Sequence, residues 1–328
     1  MALSLRRGRV TAIAEEHDGL VRCEVDGEAC VAYPALTGAV AVGDEVVVNV
    51  QGRELGLGSG GFDVLHVNLS RGLDLPSQPR AHVMKLPYTS VQHAVRHAEE
   101  DGPVADRLKG LPVVCCSLHS QVAPACAALA GTRVAYIQVA GGALPLGLSD
   151  TLRVLRERAL VATTVSAGAC FGGDMECVTA ASAFAWAAAD GFDAVVCAIG
   201  PGIVGTASRL GHGGLAAADA VNTAAALGGA AVLAVRVSSG DERQRHQGVS
   251  HHTRAVVELC LGEVTVAWPA GLEAPDWLPG RREVNVDEWR EACVGLPLEH
   301  MGRGPDDDPW FFASAFAAGK LARTLVRP

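Results

Sequence analysis

The chain has 328 residues, of which 49% are hydrophobic and only 5% aromatic, and its formal net charge is −9. This length is enough for one large α/β domain and a small one, with a core built from Ala, Val and Leu. The net negative charge argues against sequence-independent binding of nucleic acid, so we expect no nucleic-acid partner. A local arginine cluster can still bind a small anion.

Residues 5–68 have the pattern of a small all-β domain. Short runs rich in β-branched residues, separated by turn residues, lie at 10–14, 20–25, 29–33 and 45–50. The pair Asp26-Gly27 predicts a type I′ hairpin, because that turn needs positive φ at both central residues. We therefore expect residues 1–68 to form a small N-terminal β-barrel of OB or SH3 type. The glycine-rich segment 56–61 is either a phosphate-cradling loop or a tight turn.

A polar, proline-containing stretch at 69–80 indicates a linker, and residues 81–328 have a different pattern. There, apolar runs of strand length alternate with helical segments. Strands are predicted at 112–118, 133–139, 162–166, 194–199 and 230–237, and helices at 89–100, 123–129, 150–159, 175–189, 215–227 and 313–325, with a further helix from Thr253. This alternation predicts an α/β domain with a mainly parallel sheet and helices on both faces.

The cysteine pattern and the apolar segments bear on the compartment. The ten cysteines form no CxxC pair and no zinc-finger spacing, and they are typical of reduced, buried residues in a cytoplasmic protein. The first residues lack the apolar stretch of a signal peptide. Longer apolar stretches are interrupted before membrane-spanning length, so we expect no membrane association. The closing helix could cover a partner subunit, which makes a homo-oligomer an open alternative.

The residues that could carry chemistry follow the predicted strands directly. His119, Asp174, the loop 200–206 and the segment 238–253 all stand after a strand in the sequence. Open parallel sheets bind ligands at the carboxyl ends of their strands. We therefore expect these loops to converge on one pocket.

The segment 238–253, SSGDERQRHQGVSHHT, is the densest group of ionisable residues in the chain. Asp241, His246, His251 and His252 offer the nitrogen and oxygen ligands that Zn, Mn or Fe accept. Ser250 is expected to cap a helix, and the positive end of that helix would favour neutral imidazoles at its first turn. A polar loop with surface salt bridges is the structural alternative.

An anion site is predicted beside these histidines. Gly200, Gly202, Gly205 and Thr206, in the segment GPGIVGT, could turn backbone N–H groups toward an anion. Arg243 and Arg245 could clamp a phosphate or carboxylate bidentately, as could Arg236. The glycine spacing matches neither a dinucleotide-binding nor a P-loop motif, and a purely structural tight turn is the alternative.

Two further candidates are weaker on sequence grounds. Asp174 follows two glycines in FGGDME and is a candidate metal ligand, while its alternative is a helix-start acid. His119 is a candidate acid–base residue only because it shares the predicted edge of the sheet. No nucleophile elbow surrounds the neighbouring Ser117 or Ser120.

Several segments together resemble a known family. They include LGLGSGGF (55–62), MKLPYT (84–89), FGGDME (171–176), GPGIVGT (200–206) and RHQGVSHHT (245–253). In order and spacing these segments resemble a bacterial family that is a domain of unknown function, over nearly the whole chain. The family pattern has a histidine before FGGD where this chain has Ala169-Cys170, which counts against a ligand there. The resemblance implies no activity.

From the residues alone we expect a metal-assisted hydrolase or phosphoryl-handling enzyme that acts on a small anionic substrate. The cofactor is open, and a divalent metal is the one that the residues indicate. Asp174, Asp241 and the three histidines of the 238–253 segment are the candidate ligands. The alternative is a non-catalytic module that binds a ligand or a partner.

Overall fold

The structure, a computed structural model, describes residues 3–56 and 61–327. The chain divides into two compact units, Met1–Arg96 and His97–Pro328. The domain limits expected from the sequence, 1–68 and 81–328 with a linker between them, stay a prediction. Most of the glycine-rich segment 56–61 lies outside the described residues, so its predicted role stays open as well.

Five strands of the first unit close into a barrel. The elements of the barrel are β1 (Leu5–His17), β2 (Leu20–Val25), β3 (Glu28–Ala32), α1 (Pro34–Thr37), β4 (Glu45–Asn49), α2 (Gln51–Glu54) and β5 (Asp63–Asn68). The strand order β1-β2-β3-β5-β4 closes through antiparallel pairing of β4 with β1, and only β3 and β5 run parallel. Asp26 and Gly27 have φ of 52° and 82°, which confirms the predicted hairpin turn. The predicted barrel is confirmed, and its strand order is that of the OB type.

A short antiparallel hairpin completes the first unit. It pairs β6 (Val83–Lys85) with β7 (His93–Val95), and a 3₁₀ turn follows at Ala98–Glu100. The helix predicted over 89–100 is therefore wrong. The apolar residues there have helical spacing, but pairing with β6 satisfies the backbone of β7 and overrides that local preference.

The second unit alternates strands and helices. Its strands are β8 (Pro112–Cys116), β9 (Val134–Val139), β10 (Thr163–Ala167), β11 (Met175–Cys177), β12 (Ala194–Ile199), β13 (Ala230–Ala234), β14 (Val237–Ser238), β15 (Gly248–Val249), β16 (Thr265–Pro269) and β17 (Arg281–Val284). Its helices are α3 (Val122–Ala128), α4 (Asp150–Glu157), α5 (Ala180–Ala189), α6 (Ala216–Ala226), α7 (His251–Leu259), α8 (Trp289–Ala292) and α9 (Pro309–Arg323). Further 3₁₀ turns lie at His119–Gln121, Leu146–Leu148, Gly213–Leu215 and Gln244–His246.

Eight of these strands form one parallel sheet in the order β11-β10-β9-β12-β8-β13-β16-β17. Successive residues of β8 point to opposite faces: Val114 and Cys116 pack with α3 and α9, whereas Val113 and Cys115 pack with α5 and α6. Both faces are covered, which explains the uninterrupted apolar runs. The predicted parallel α/β architecture is confirmed.

The region around Met175 differs from its prediction. A helix was expected over 175–189, but residues 175–177 form β11 beside β10, and α5 begins only at Ala180. Thr179 caps α5, with its hydroxyl accepting the Ser182 N–H at 3.0 Å. Strand pairing with β10 outweighs helix propensity over these three residues.

No helix in the described part of the chain is both long enough and apolar enough to cross a lipid bilayer.

Gly319 shows how closely α9 packs against α3. A Cβ at this position would clash with the Ala125 carbonyl oxygen and would lie 2.9 Å from the Ala128 Cβ. Elsewhere in a helix, Gly→Ala stabilises by up to about 1 kcal/mol. Here we expect Gly319→Ala to lower the free energy of unfolding by about 1–3 kcal/mol, because the two helices must separate.

Urea unfolding followed by tryptophan fluorescence tests this, since all five tryptophans lie in the second unit. Gly102→Ala is the control, because a Cβ there meets nothing within 4 Å. A Gly319→Ala protein at least as stable as the wild type would contradict the packing described.

Candidate metal centre

The candidate site lies beyond the carboxyl ends of β12 and β13. The chain after β12 returns through a glycine-rich loop to His212, and the chain after β13 continues into the segment 236–252. Within that segment β14 and β15 pair antiparallel, Val237 with Val249, which folds the intervening loop back on itself. The fold-back brings His246 next to the start of α7.

Hydrogen bonds to the backbone of Arg236 fix the beginning of α7. The Ser250 N–H donates to the Arg236 carbonyl at 2.9 Å, and the Arg236 N–H donates to Thr253 Oγ1 at 2.9 Å. The Ser250 hydroxyl caps the helix by accepting the His252 N–H at 3.2 Å, which confirms the predicted cap. The motif SHHT therefore places His251 and His252 beside the end of the β13 segment.

Four histidines, His212, His246, His251 and His252, form what we call the imidazole cluster. The rings of His212 and His252 stack with centroids 3.6 Å apart and planes at 14°. The His251 and His252 centroids are 4.4 Å apart, and His246 is 4.9 Å from each of those two rings. Three of the residues, His246, His251 and His252, each offer a ring nitrogen, and these nitrogens all lie within 4.8 Å of one another.

The hydrogen bonds of the cluster leave several ring nitrogens available. His246 Nδ1 lies 2.7 Å from Ser250 Oγ, which orients that ring and leaves Nε2 to the cluster. Nε2 of His251 is buried without a hydrogen-bond partner among the described residues. Buried polar atoms usually have partners, so the unpartnered Nε2 of His251 needs an explanation. A metal ion bound at 2.0–2.1 Å from one ring nitrogen of each of His246, His251 and His252 would supply one.

The cluster is electrically neutral at ordinary pH. Burial is the main cause that lowers the pKa of His246 to about 3 and that of His252 to about 2. The positive charge of Arg236 acts in the same direction on both rings. Burial is also the main cause that lowers the pKa values of His212 and His251. Neighbouring positive charges add to it, chiefly His251 for the first ring and Arg245 for the second. A metal ion needs deprotonated imidazole nitrogens, and these rings have them without losing a proton.

Next to the imidazole cluster lies a group of charges, Arg236, Asp241, Arg243 and Arg303, which we call the arginine cluster. Asp241 Oδ2 lies 3.2 Å from Arg236 Nη2, 2.8 Å from Arg243 Nη2 and 3.2 Å from Arg303 Nη2. Its Oδ1 accepts from Arg243 N at 3.1 Å and Nε at 2.9 Å. These bonds, above all those to Arg243, hold the pKa of Asp241 well below its usual range. Its carboxylate is turned to the arginines rather than to the imidazoles.

Arg236 joins the two clusters. Its side chain is 3% exposed, and its Nη1 lies 3.4 Å from His252 Nδ1 while its Nη2 contacts Asp241. A buried guanidinium needs a compensating anion, which Asp241 provides. The positive charge of the same guanidinium adds to the effect of burial in lowering the pKa of the neighbouring imidazoles.

His119 and Asp174, both expected in the pocket, make their hydrogen bonds and ion pairs with residues outside the two clusters. His119 uses both ring nitrogens, Nδ1 at 3.2 Å from the Ile199 carbonyl and Nε2 at 2.7 Å from Ser149 Oγ, and burial lowers its pKa to about 4. Asp174 accepts from the Thr164 N–H at 2.8 Å and pairs with Arg156 at 2.9 Å. Because β11 runs parallel to β10, Asp174 lies at the amino-terminal end of these strands, away from the expected edge.

The loop with Gly200, Gly202, Gly205 and Thr206 is held by its own surroundings. Its Val204 N–H donates to the Gly141 carbonyl at 3.0 Å, and its Thr206 N–H donates to Gly211 at 2.7 Å. Gly205 forms an isolated bridge with His212. The loop thus positions His212. Arg243 belongs to the arginine cluster, and Arg245 is exposed beside it. An anion at these residues stays a prediction.

A comparison with protein families matches residues 29–319 to the family described as "Protein of unknown function (DUF3866)". The chain belongs to the DUF3866 family. This confirms the resemblance expected from the sequence segments, and the matched range contains both clusters. A comparison with curated proteins finds no match for this DUF3866 protein.

Sequence reasoning missed His212, His300 and Arg303 in this DUF3866 chain. His212 stands in GHGG, where only the glycines drew attention, and its position just after the β12 loop was the available signal. His300 and Arg303 come from far along the chain, and no local pattern marks them. His300 stacks on Phe311 with centroids 4.0 Å apart, and its Nδ1 lies 3.0 Å from Ser120 Oγ.

The contact between Ser120 and His300 has the form of a nucleophile and its base. However, burial and then the charges of Arg236 and Arg303 lower the pKa of His300 to about 3. So acidic an imidazolium makes its conjugate base a weak acceptor for a serine proton. The pair is therefore a poor candidate for covalent catalysis.

The low pKa of His300 predicts a pH dependence of stability. Its ordinary value is 6.5, so as pH falls below 6.5 the unfolded chain takes up a proton that the folded chain does not. The free energy of unfolding is therefore highest above pH 6.5, as far as His300 is concerned, and it decreases as pH falls toward 3. In metal-free protein, His300→Gln should reduce the slope of the free energy of unfolding against pH by up to about 1.4 kcal/mol per pH unit.

Urea unfolding at a series of pH values between 7 and 4, followed by tryptophan fluorescence with chelator present, measures this slope. Only the slopes are compared, because the variant also loses the contact with Ser120. Equal slopes in the two proteins would show that His300 is not buried in its neutral form.

Proposed function

We propose that this protein is a metal-dependent hydrolase acting on a small anionic substrate, with a divalent transition metal held by His246, His251 and His252. The observation that supports it is the approach of three neutral ring nitrogens to within 4.8 Å of one another. Catalytic zinc sites commonly have three protein ligands and an open fourth position. Imidazole ligands also suit iron, copper and nickel, so zinc is the first metal to test.

The spacing of the nitrogens fits such a centre with small side-chain movements. A tetrahedral ion at 2.0–2.1 Å from each nitrogen places the ligand atoms about 3.4 Å apart. The three rings are on two short segments connected by β15, so we expect that they can approach one another through rotation of their side chains. Ser250 already orients the ring of His246 as an outer hydrogen-bond partner, a feature typical of metal-binding histidines.

The proposed chemistry divides between the metal and the chain. A bound divalent metal would lower the pKa of a water molecule and polarise the bond to be cleaved. His246, His251 and His252 would hold the ion. The arginine cluster would attract and orient the anionic substrate beside it, since guanidinium groups pair with carboxylates and phosphates. The glycine loop after β12 would keep His212 stacked against His252.

Metal binding is the first measurement. We expect protein treated with chelator and then titrated with Zn²⁺ or Co²⁺ to bind about one equivalent. His251→Ala and His252→Ala should each weaken binding at least tenfold, because each removes one of three ligands. His66→Ala, in β5 of the barrel unit, is the control and should bind as the wild type does.

Hydrolysis is the second measurement, on the metal-loaded protein with the anionic substrate p-nitrophenyl phosphate. We expect turnover that disappears with chelator and in His252→Ala. Binding of metal without any turnover would support the alternative, a non-catalytic metal-binding module. No bound metal, or equal affinity in all variants, would contradict the proposal.

A further inference from the structure

The three guanidinium groups of the arginine cluster share one carboxylate oxygen. Arg236, Arg243 and Arg303 each bring an Nη2 to within 3.2 Å of Asp241 Oδ2. The three nitrogens therefore lie within about 6 Å of one another, a distance at which like charges repel strongly in a partly buried site. One carboxylate cannot neutralise three guanidinium groups, so additional negative charge would stabilise the arginine cluster.

The neighbouring residues do not supply enough of that negative charge. The second carboxylate in reach is Asp308, whose Oδ2 lies 3.4 Å from Arg303 Nε and which also accepts from the hydroxyl of Ser238. Two carboxylates against three guanidinium groups leave one positive charge uncompensated. The chain as a whole is acidic, so this excess positive charge is confined to the arginine cluster.

Two of the three arginines can reach a ligand. The side chain of Arg243 is 37% exposed and that of Arg303 is 18% exposed, whereas Arg236 is 3% exposed. Arg243 and Arg303 use Nε and Nη2 for Asp241 and Asp308, and the Nη1 group of each makes no hydrogen bond within residues 3–56 and 61–327. Each therefore retains unused N–H donors on a side chain that is partly exposed.

We infer that Arg243 and Arg303 bind a phosphate group, and that the substrate of the proposed hydrolase is a small phosphate monoester. The inference rests on the proposed function for the hydrolytic step only; the phosphate site stands on the arginine cluster alone. A phosphate monoester carries nearly two negative charges at neutral pH and three acceptor oxygens. It can therefore accept from both Nη1 groups and still present an oxygen to the imidazole cluster, which a single carboxylate cannot do.

The position of the cluster agrees with this substrate class. Arg236 touches Asp241 on one side and His252 on the other, at 3.2 Å and 3.4 Å, so a phosphate on the arginine cluster would be adjacent to the imidazole cluster. Hydrolysis would then transfer the phosphoryl group from the ester oxygen to water, with the P–O bond to the alcohol broken and a proton passed to the leaving alkoxide. The products are inorganic phosphate and the alcohol.

Calorimetric titration of the full-length protein tests the site, in the chelated and in the zinc-loaded state. The probes are inorganic phosphate, glycerol phosphate as a monoester, and malonate as a carboxylate dianion. We expect both phosphate probes to bind, glycerol phosphate at least as tightly as inorganic phosphate, and malonate at least tenfold more weakly. Tighter binding of inorganic phosphate than of the ester would identify the free ion as the ligand and overturn the monoester substrate.

Arg243→Gln and Arg303→Gln should each weaken phosphate binding at least tenfold. Arg303→Lys keeps the charge without the guanidinium fork, and it should bind at an intermediate strength if Arg303→Gln does not fold. Arg133→Gln is the matched control, because Arg133 is also a partly exposed arginine, 48% exposed and paired with Asp190 at 2.7 Å. Wild-type affinity in Arg243→Gln, or malonate binding equal to that of phosphate, would overturn the inference.

The two proposals fail separately. Zn²⁺ affinity is measured in the same arginine variants. Phosphate binding by protein that takes up no metal would remove the hydrolase and keep the phosphate site. Metal binding with no phosphate binding would remove the phosphate site and keep the proposed metal centre.

Discussion

The carboxylate of Asp241 is the interaction on which the candidate site depends. It accepts from three guanidinium groups and from the backbone of Arg243, so it fixes the turn after β14 and attaches Arg303 from the far end of the chain. Without it, the buried guanidinium of Arg236 would have no compensating charge, a situation that typically costs about 3–5 kcal/mol. Because the backbone of Arg236 holds Ser250, the same carboxylate indirectly places the first turn of α7 and its two histidines.

Burial and positive neighbours act in the same direction on the imidazole cluster. Four rings within stacking distance would repel one another if they were protonated, and both influences favour their neutral forms. Neutral rings can pack as closely as His212 and His252 do, with centroids 3.6 Å apart. The arrangement that allows this packing is also the one that leaves lone pairs for a cation. The neutral form of the rings therefore favours both their close packing and the binding of a metal ion.

Most of the fold could be predicted from the sequence, because burial on both faces of the sheet leaves uninterrupted apolar runs such as β8 and β12, and Asp26-Gly27 specifies its turn locally. The site was predictable where its residues are close in sequence, as His246, His251 and His252 are. The position of Asp174 was not predictable, because it depends on the pairing of the three-residue strand β11 with β10. That pairing places Asp174 at the amino-terminal end of these strands. Arg303 reaches the cluster only through the folding of the last part of the chain, which no short pattern encodes.

The glycine loop and the histidine segment, which looked like separate motifs in the sequence, make up one structural unit. Gly213 lies so close to the Gly141 backbone that a Cβ there would clash, and its N–H donates to the Val204 carbonyl at 2.8 Å. These contacts determine where His212 stands, and the stacking on His252 transmits that position to α7. A loop whose glycines permit close backbone approach can hold an imidazole more rigidly than it can cradle a mobile anion. The proposed phosphate would instead pair with the arginines, whose planar guanidinium groups match its oxygen atoms.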